Sequence, residues 1–151
     1  MKPLTFLLLL SIFVFGVDLK PENRRNKRKT KEYHLYTTRV NWTEAVKQCE
    51  SKGMELVSIL SRDENNALIS SIKEAGQGKI GFWTSANRIE EGDTYYWNNG
   101  EKVTFTDWER GKPDKRIKGG EEEQCIEIKG FNTLKWNDNF CSHKLYYICE
   151  I

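Results

Sequence analysis

Three short segments that contain carboxylate or amide side chains lie in the C-terminal third of the chain. They are Lys112-Pro113-Asp114, Glu121-Glu122-Glu123 and Trp136-Asn137-Asp138. Carboxylate and amide oxygens are the ligands that Ca²⁺ prefers, whereas Zn²⁺ prefers His and Cys, and the chain contains only two His residues. If the groups meet in the fold, they favour calcium over zinc. Acidic runs are also common on solvated protein surfaces. The elements that position these groups therefore decide whether they form a site.

The first two groups lie in a long stretch without a regular hydrophobic pattern. This stretch runs between Thr104 and Gln124 and contains Gly111, Pro113, Gly119 and Gly120. Loops of this length inside a compact domain are usually functional. We therefore expect the chemistry of the protein to lie in and beside this loop.

The N-terminus has the pattern of an export signal. A short positive segment, Met1-Lys2-Pro3, precedes the apolar run Leu4–Val17, and Val14 and Gly16 are the small residues that a signal peptidase recognises. We predict a signal peptide at residues 1–16. A membrane anchor would need about 20 apolar residues, and nothing after Val17 could span a bilayer. The prediction is a secreted, extracellular protein in an oxidising compartment.

The formal net charge of +2 conceals two unlike parts. Residues 1–32 contain eight bases and three acids, whereas residues 33–151 contain sixteen bases and nineteen acids. An acidic body argues against a general nucleic-acid binder, which needs a cationic face. Residues 17–32 are predicted to form a disordered basic linker. Within it, Arg25–Arg28 resembles a dibasic processing site, and the wider cluster up to Lys31 could instead bind anionic glycans or phospholipid.

The cysteine count indicates a disulfide-stapled body. An even number of cysteines in a secreted chain implies two bridges, with three connectivities open. A Cys49–Cys149 bridge would tie the start of the body to its end, and a Cys125–Cys141 bridge would close a short loop. Catalytic or metal-binding cysteines are the competing interpretation, which secretion disfavours.

Two amphipathic helices are predicted ahead of a series of short strands. Trp42, Ala45, Val46 and Cys49 form one apolar face after the capping pair Asn41 and Glu44. A second capping pair, Ser61 and Glu64, precedes a helix that ends at Gly76. Asn41 also heads an N-glycosylation sequon, so capping and glycosylation compete for its side chain. The predicted strands are residues 80–85, 95–97, 125–129, 134–136 and 146–150.

In joint order and spacing, these features resemble the C-type lectin-like domain in its short, two-disulfide form. The resemblance covers Tyr33–Glu150 and implies a lectin domain at residues 33–151. It rests on Trp42–Cys49, Ile80-Gly81-Phe82-Trp83, Tyr96–Gly100, Trp108–Pro113, Glu123-Gln124-Cys125, and Trp136-Asn137-Asp138 through Cys141 and Cys149. The implied fold is α+β, a double-looped domain with two helices, small antiparallel sheets and a long calcium- and sugar-binding loop. The implied bridges are Cys49–Cys149 and Cys125–Cys141.

The resemblance also assigns a calcium site and a sugar site. The implied Ca²⁺ ligands are Asp114, Glu123, Asn137 and Asp138, with Pro113 in cis, and the implied sugar-binding residues are these four with Lys112. Asp114 matches the arrangement that the family associates with galactose rather than mannose. A second, accessory calcium site maps onto Asn87, Glu91 and Gln124, of which two are amides, so we expect it to be weak or empty.

Lys112 departs from the family pattern, which has Glu or Gln at this position. An ammonium group donates three hydrogen bonds and accepts none, so it cannot be a calcium ligand. Either Lys112 turns out to solvent and water takes its place, or it donates to a sugar hydroxyl from the side. We expect calcium binding to be retained but weakened.

The function implied by the resemblance is calcium-dependent carbohydrate binding by a secreted lectin without enzymatic activity. Soluble lectins of this kind in invertebrate immunity agglutinate bacteria and promote encapsulation by haemocytes. Agglutination by a single-site domain requires a homo-oligomer, for which the sequence shows no coiled-coil heptads. The alternative is a calcium-independent lectin-like module that binds a protein partner or an anionic surface. A secreted toxin or reproductive-tract protein on the same frame is a third interpretation.

Overall fold

The computed structural model describes residues 30–90, 92–131 and 133–151. The predicted signal peptide, most of the basic linker and its dibasic site lie outside the described residues. The elements are β1 (Tyr33–Val40), α1 (Trp42–Glu50), β2 (Glu55–Leu56), α2 (Arg62–Glu74), β3 (Phe82–Asn87), β4 (Ile117–Lys118), β5 (Glu121–Ile128), β6 (Trp136–Phe140) and β7 (Leu145–Glu150). The predicted α+β class is confirmed, and no helix among the described residues is long and apolar enough to cross a membrane.

Both helices begin at the predicted caps. The Asn41 Oδ1 accepts a hydrogen bond from the Glu44 N–H at 2.9 Å, and the Ser61 Oγ accepts one from the Glu64 N–H at 3.2 Å. Each cap satisfies a backbone donor that the first helical turn leaves without a partner. Because the Asn41 side chain caps α1, glycosylation at this residue stays a prediction that competes with the cap.

The strands form one mixed sheet in the order β1-β7-β3-β5-β4, with β2 paired to β7 and β6 paired to β5. Only β3 and β7 run parallel; the other named pairs are antiparallel. The sequence pattern did not predict β1, an edge strand that pairs Tyr33 with Glu150 and Val40 with Leu145. This pairing brings the two ends of the domain together.

Tryptophan side chains form the centre of the core. Trp83, Trp97 and Trp136 are almost fully buried, as predicted for core anchors, and Trp108 packs against the core from a partly buried position. The rings of Trp97, Phe105 and Trp108 meet the Trp136 ring edge-on at centroid distances of 5.6–5.9 Å. Because Trp136 begins β6, this packing fixes the residues that follow it, Asn137 and Asp138.

The disulfides have the implied connectivity. Cys49 is bonded to Cys149, which ties α1 to β7, and Cys125 is bonded to Cys141, which ties β5 to the residue after β6. All four cysteines are thereby used, and the connectivity left open by cysteine spacing is settled.

The long irregular stretch is shorter than predicted. β5 begins at Glu121, four residues before the predicted strand, and β4 pairs with it through Ile117–Glu122 and Lys118–Glu121. Gly119 and Gly120 have φ values of +61° and +84°, which a tight hairpin turn of this kind requires. A Gly-Gly pair between two strand-forming residues was the available signal. The acidic run therefore lies on a strand instead of in a loop.

Candidate functional site

Three carboxylates from separate segments meet beside the pair β5 and β6. Asp114 lies in the loop, Glu123 in β5 and Asp138 in β6, and one oxygen of each lies within 4.8 Å of the others. Pairing of β5 with β6 places Glu123 opposite Phe140, two residues from Asp138, and so brings the two strand carboxylates into proximity. The Lys112–Pro113 peptide bond that precedes Asp114 is cis, as the resemblance implied. We call these three residues the carboxylate cluster.

The loop backbone folds over the buried members of the carboxylate cluster. Asp138, which is fully buried, accepts hydrogen bonds from the Asp114 N–H at 3.2 Å and the Lys115 N–H at 2.6 Å. Glu123 accepts one from the Arg116 N–H at 3.4 Å. The strand carboxylates therefore hold the loop at residues 114–116 by bonds within the protein.

The Lys112 ammonium points into the carboxylate cluster. Its Nζ lies 2.6 Å from the Asp114 Oδ1, 3.7 Å from the Asp138 Oδ1 and 4.0 Å from the Glu123 Oε2. The side chain is only 11% exposed. The first of the two alternatives, that Lys112 turns out to solvent, is wrong, because three carboxylates attract the ammonium more strongly than open solvent does.

The pKa values of Asp114 and Glu123 are shifted in opposite directions. The hydrogen bond from Lys112 lowers the pKa of Asp114 to about 2, and Arg116 also contacts Asp114, with its Nε 2.7 Å from the Oδ2. Burial is the main cause that raises the pKa of Glu123, and the nearby Asp138 charge adds to it. The exposed and the buried members of the cluster therefore differ in how readily they take up a proton.

Asn137 is engaged with a residue that sequence reasoning missed. Its Nδ2 donates to the Oε1 of Glu127 at 2.7 Å, and the Asn139 Nδ2 donates to the same oxygen at 3.0 Å. Glu127 is buried, which raises its pKa, and a Cβ on Gly81 would clash with its Oε2. The signal in the sequence was an acid between Ile126 and Ile128, at the apolar end of β5.

The remaining predicted site residues are less informative. The Asn87 amide donates to the Asn98 Oδ1 at 3.3 Å, the Gln124 backbone carbonyl accepts from the Arg88 N–H, and Glu91 lies outside the described residues. The weak or empty accessory calcium site stays a prediction.

The donor chemistry of the carboxylate cluster suits a hard cation, but its present arrangement does not fit Ca²⁺. The buried Asn137 Oδ1 also has no hydrogen-bond partner. Carboxylate and amide oxygens bind calcium at about 2.3–2.6 Å. A calcium ion there would have to share space with an ammonium that is 2.6 Å from the Asp114 Oδ1. Ca²⁺ and the Lys112 ammonium are therefore alternative occupants.

Comparison with known proteins identifies the family. The model of the lectin C-type domain matches residues 38–151. The chain belongs to the C-type lectin family. A perlucin-like protein of Mytilus galloprovincialis is 30% identical over 160 residues, covering 99% of this chain and 100% of that protein. The galactose-specific lectin nattectin of Thalassophryne nattereri is 28% identical over 110 residues, covering 73% of this chain and 67% of nattectin.

A solved structure supports the same assignment. The carbohydrate-recognition domain of the mouse scavenger receptor C-type lectin superimposes with a TM-score of 0.69 at 27% identity, covering 82% of this chain and 89% of that domain. C-type lectin domains typically bind Ca²⁺, and this C-type lectin has a cluster of acidic residues. Its lysine among those acids is the feature that needs a functional explanation.

Proposed function

We propose that this C-type lectin is a secreted carbohydrate-binding protein without enzymatic activity. Its sugar site is the carboxylate cluster together with Lys112 and Asn137. The observation that carries the proposal is the convergence of three carboxylate oxygens within 4.8 Å of one another around one ammonium. Acceptors and donors are thus available side by side, which is what a pair of adjacent sugar hydroxyls requires.

The hydrogen-bonding capacity of Lys112 supports this role. Its ammonium has three hydrogen bonds to give, but only the Asp114 Oδ1, at 2.6 Å, is within hydrogen-bond distance among the cluster carboxylates. The Asp138 and Glu123 oxygens are 3.7 Å and 4.0 Å away, which is beyond a hydrogen bond. A sugar hydroxyl entering these gaps can accept from the ammonium and donate to a carboxylate.

A galactose-type ligand is our proposal for the sugar. It rests on Asp114, which matches the galactose-associated arrangement of the family, and on the likeness to nattectin, a lectin whose name states galactose specificity. The residues after Asp114 offer no aromatic ring for the apolar face of the sugar; they are Lys115, Arg116 and the exposed Ile117. Galactose binding here would depend on hydrogen bonds more than on stacking.

The proposed calcium dependence of sugar binding is governed by the position of Lys112. The ion can bind the carboxylate cluster only when the Lys112 side chain leaves it, so calcium binding should be weak. The proposed biological role is innate immune recognition, with bacterial agglutination and binding to haemocytes before encapsulation. It rests on the resemblance to soluble invertebrate lectins and requires a homo-oligomer to cross-link cells.

Glycan binding by the mature protein, measured in calcium and in chelator, tests the proposal. We expect binding to galactose-terminated glycans that Asp114→Asn weakens or redirects toward mannose. Asp93→Asn is the matched control, since Asp93 is an exposed carboxylate that bonds to Lys115 outside the cluster. Binding that neither Asp114→Asn nor Asp138→Asn changes would place the sugar elsewhere.

The position of Lys112 favours a second candidate function. A lectin-like module with an internal cation could bind a protein partner or an anionic surface without calcium. Failure to bind any glycan, with or without calcium, would favour this candidate over the lectin.

A further inference from the structure

Lys112 occupies the position in the carboxylate cluster that a divalent cation would need. We propose that the Lys112 ammonium is a built-in substitute for that cation, so calcium at about 1 mM does not occupy this site and the loop stays ordered in chelator. Sugar binding in chelator then follows, and this last clause alone rests on the proposed function. Lys112 is thereby the residue that determines the cation requirement of the domain.

The first argument is charge balance within the carboxylate cluster. Three carboxylates whose oxygens lie within 4.8 Å of one another repel strongly unless a cation lies among them. Lys112 contacts all three, and Arg116 adds a second positive charge on the outer oxygen of Asp114. Two cations from the chain itself therefore compensate most of the negative charge of the cluster.

The second argument is that the three basic residues of the loop have different positions. Lys112 is 11% exposed and points inward. Lys115 is 34% exposed and bonds to Asp93, away from the cluster, and Arg116 is 66% exposed at its rim. If these side chains were only a solvated basic surface, no such division would be expected. One lysine is inserted between the acids, and its neighbours are not.

The third argument is that the loop is held without an ion. Asp138 accepts two backbone N–H groups, from Asp114 and Lys115, and Glu123 accepts the N–H of Arg116. These bonds join the loop directly to β5 and β6. A bound ion could attach the loop to the strands. In this structure the hydrogen bonds and the Lys112 ammonium already attach it.

Isothermal titration with calcium of the wild type and of Lys112→Gln tests the proposal. Gln supplies an oxygen donor and removes the ammonium. We expect no uptake at this site by the wild type at about 1 mM calcium, and uptake by Lys112→Gln with a Kd of about 10⁻³ M or tighter, the range of extracellular calcium modules. Lys115→Gln is the matched control: it removes an equal charge from the same loop without opening the cluster, and it should behave as the wild type.

Thermal unfolding gives an independent readout. The melting temperature of the wild type should be the same in calcium and in chelator, whereas that of Lys112→Gln should fall by several degrees in chelator and recover in calcium. Lys112→Glu, purified in calcium, replaces Lys112→Gln if the latter does not fold.

Two results would overturn the proposal. One is stoichiometric calcium uptake by the wild type that Asp114→Asn abolishes. The other is a folded Lys112→Gln or Lys112→Glu protein that binds no calcium, since the lysine would then not be what excludes the ion. Failure of the proposed function is separate: it would appear as absent glycan binding in a protein whose calcium behaviour is as expected.

Discussion

Lys31 and Lys112 each approach more than one carboxylate, and they do so in different ways. The Lys31 Nζ lies 2.7 Å from the Ser58 carbonyl oxygen, 2.9 Å from the Glu150 Oε2 and 3.0 Å from the Glu64 Oε2. The Lys112 Nζ has one contact of this length, to Asp114, and two longer approaches of 3.7 Å and 4.0 Å. Fixed protein oxygens surround the first ammonium completely and the second only in part.

The difference separates a structural lysine from one with capacity for a ligand. Lys31 connects the N-terminal end of the described chain to β7 and α2, and beside it Glu32 and Ile151 exchange backbone hydrogen bonds. Lys31 and Glu32, which precede the predicted start of the domain at Tyr33, thus contact the sheet and α2. Lys112 keeps hydrogen-bond donors that a ligand can use, because the Asp138 and Glu123 carboxylates lie too far away to accept them.

Replacing Lys31 should have the largest effect on stability. Lys31→Met leaves the buried Glu150 carboxylate without its cation, and we expect a loss of about 2–3 kcal/mol, slightly less than for breaking a fully buried pair. Urea denaturation measures it, with the exposed Lys118→Met as control. Glycan binding should be unchanged. A loss no larger than that of the control would contradict the structural role of Lys31.

Asp138→Asn should lower both stability and sugar binding. The carboxylate accepts the Asp114 and Lys115 N–H groups, and an amide can accept only one of them while facing the other with a donor. We expect a loss of about 2 kcal/mol, the range for leaving a buried donor without a partner, together with loss of glycan binding. Asp93→Asn is the control in both assays. Glycan binding retained by Asp138→Asn would show that sugar binding does not require the Asp138 carboxylate.

Acid should weaken the ion pair between Asp114 and Lys112 within a defined pH window. The pKa of Asp114 is lowered from 3.8 to about 2, so the ionised carboxylate stabilises the fold above its unfolded-state pKa. That contribution is lost as the pH falls from about 4 to about 2. The free energy of unfolding measured across this window should fall more steeply in the wild type than in Asp114→Asn. Parallel curves would show that Asp114 and Lys112 are not paired in solution.

The smallest effect on stability is expected for Lys112→Met in calcium-free buffer. Asp114 is partly exposed and keeps Arg116 as a partner. The buried Asp138 and Glu123 carboxylates lie farther from the ammonium and keep their backbone N–H donors. We therefore expect a loss of about 1 kcal/mol, as for a partly exposed ion pair. Urea denaturation beside Lys31→Met measures the contrast. A larger loss for Lys112→Met than for Lys31→Met would reverse the assignment of the two lysines.

Local patterns predicted much of this structure. The caps of both helices, the cysteine count and the Trp-Asn-Asp segment depend on residues close in sequence, where spacing alone carries the signal. β1 escaped prediction because it is an edge strand stabilised by pairing with β7, more than a hundred residues away. The direction of Lys112 escaped prediction because it depends on Glu123 and Asp138, which the folding of two strands brings to it.

The central claim is that Lys112 occupies the cation position of this C-type lectin. The most direct measurement is the NMR signal of the Lys112 ammonium in ¹⁵N-lysine-labelled protein, assigned by its loss in Lys112→Gln. We predict a hydrogen-bonded signal that calcium at about 1 mM leaves unchanged and that a galactose-terminated glycan shifts, while the Lys31 signal moves in neither case. Loss of the Lys112 signal when calcium is added would contradict the claim, because it would show the ion displacing the lysine.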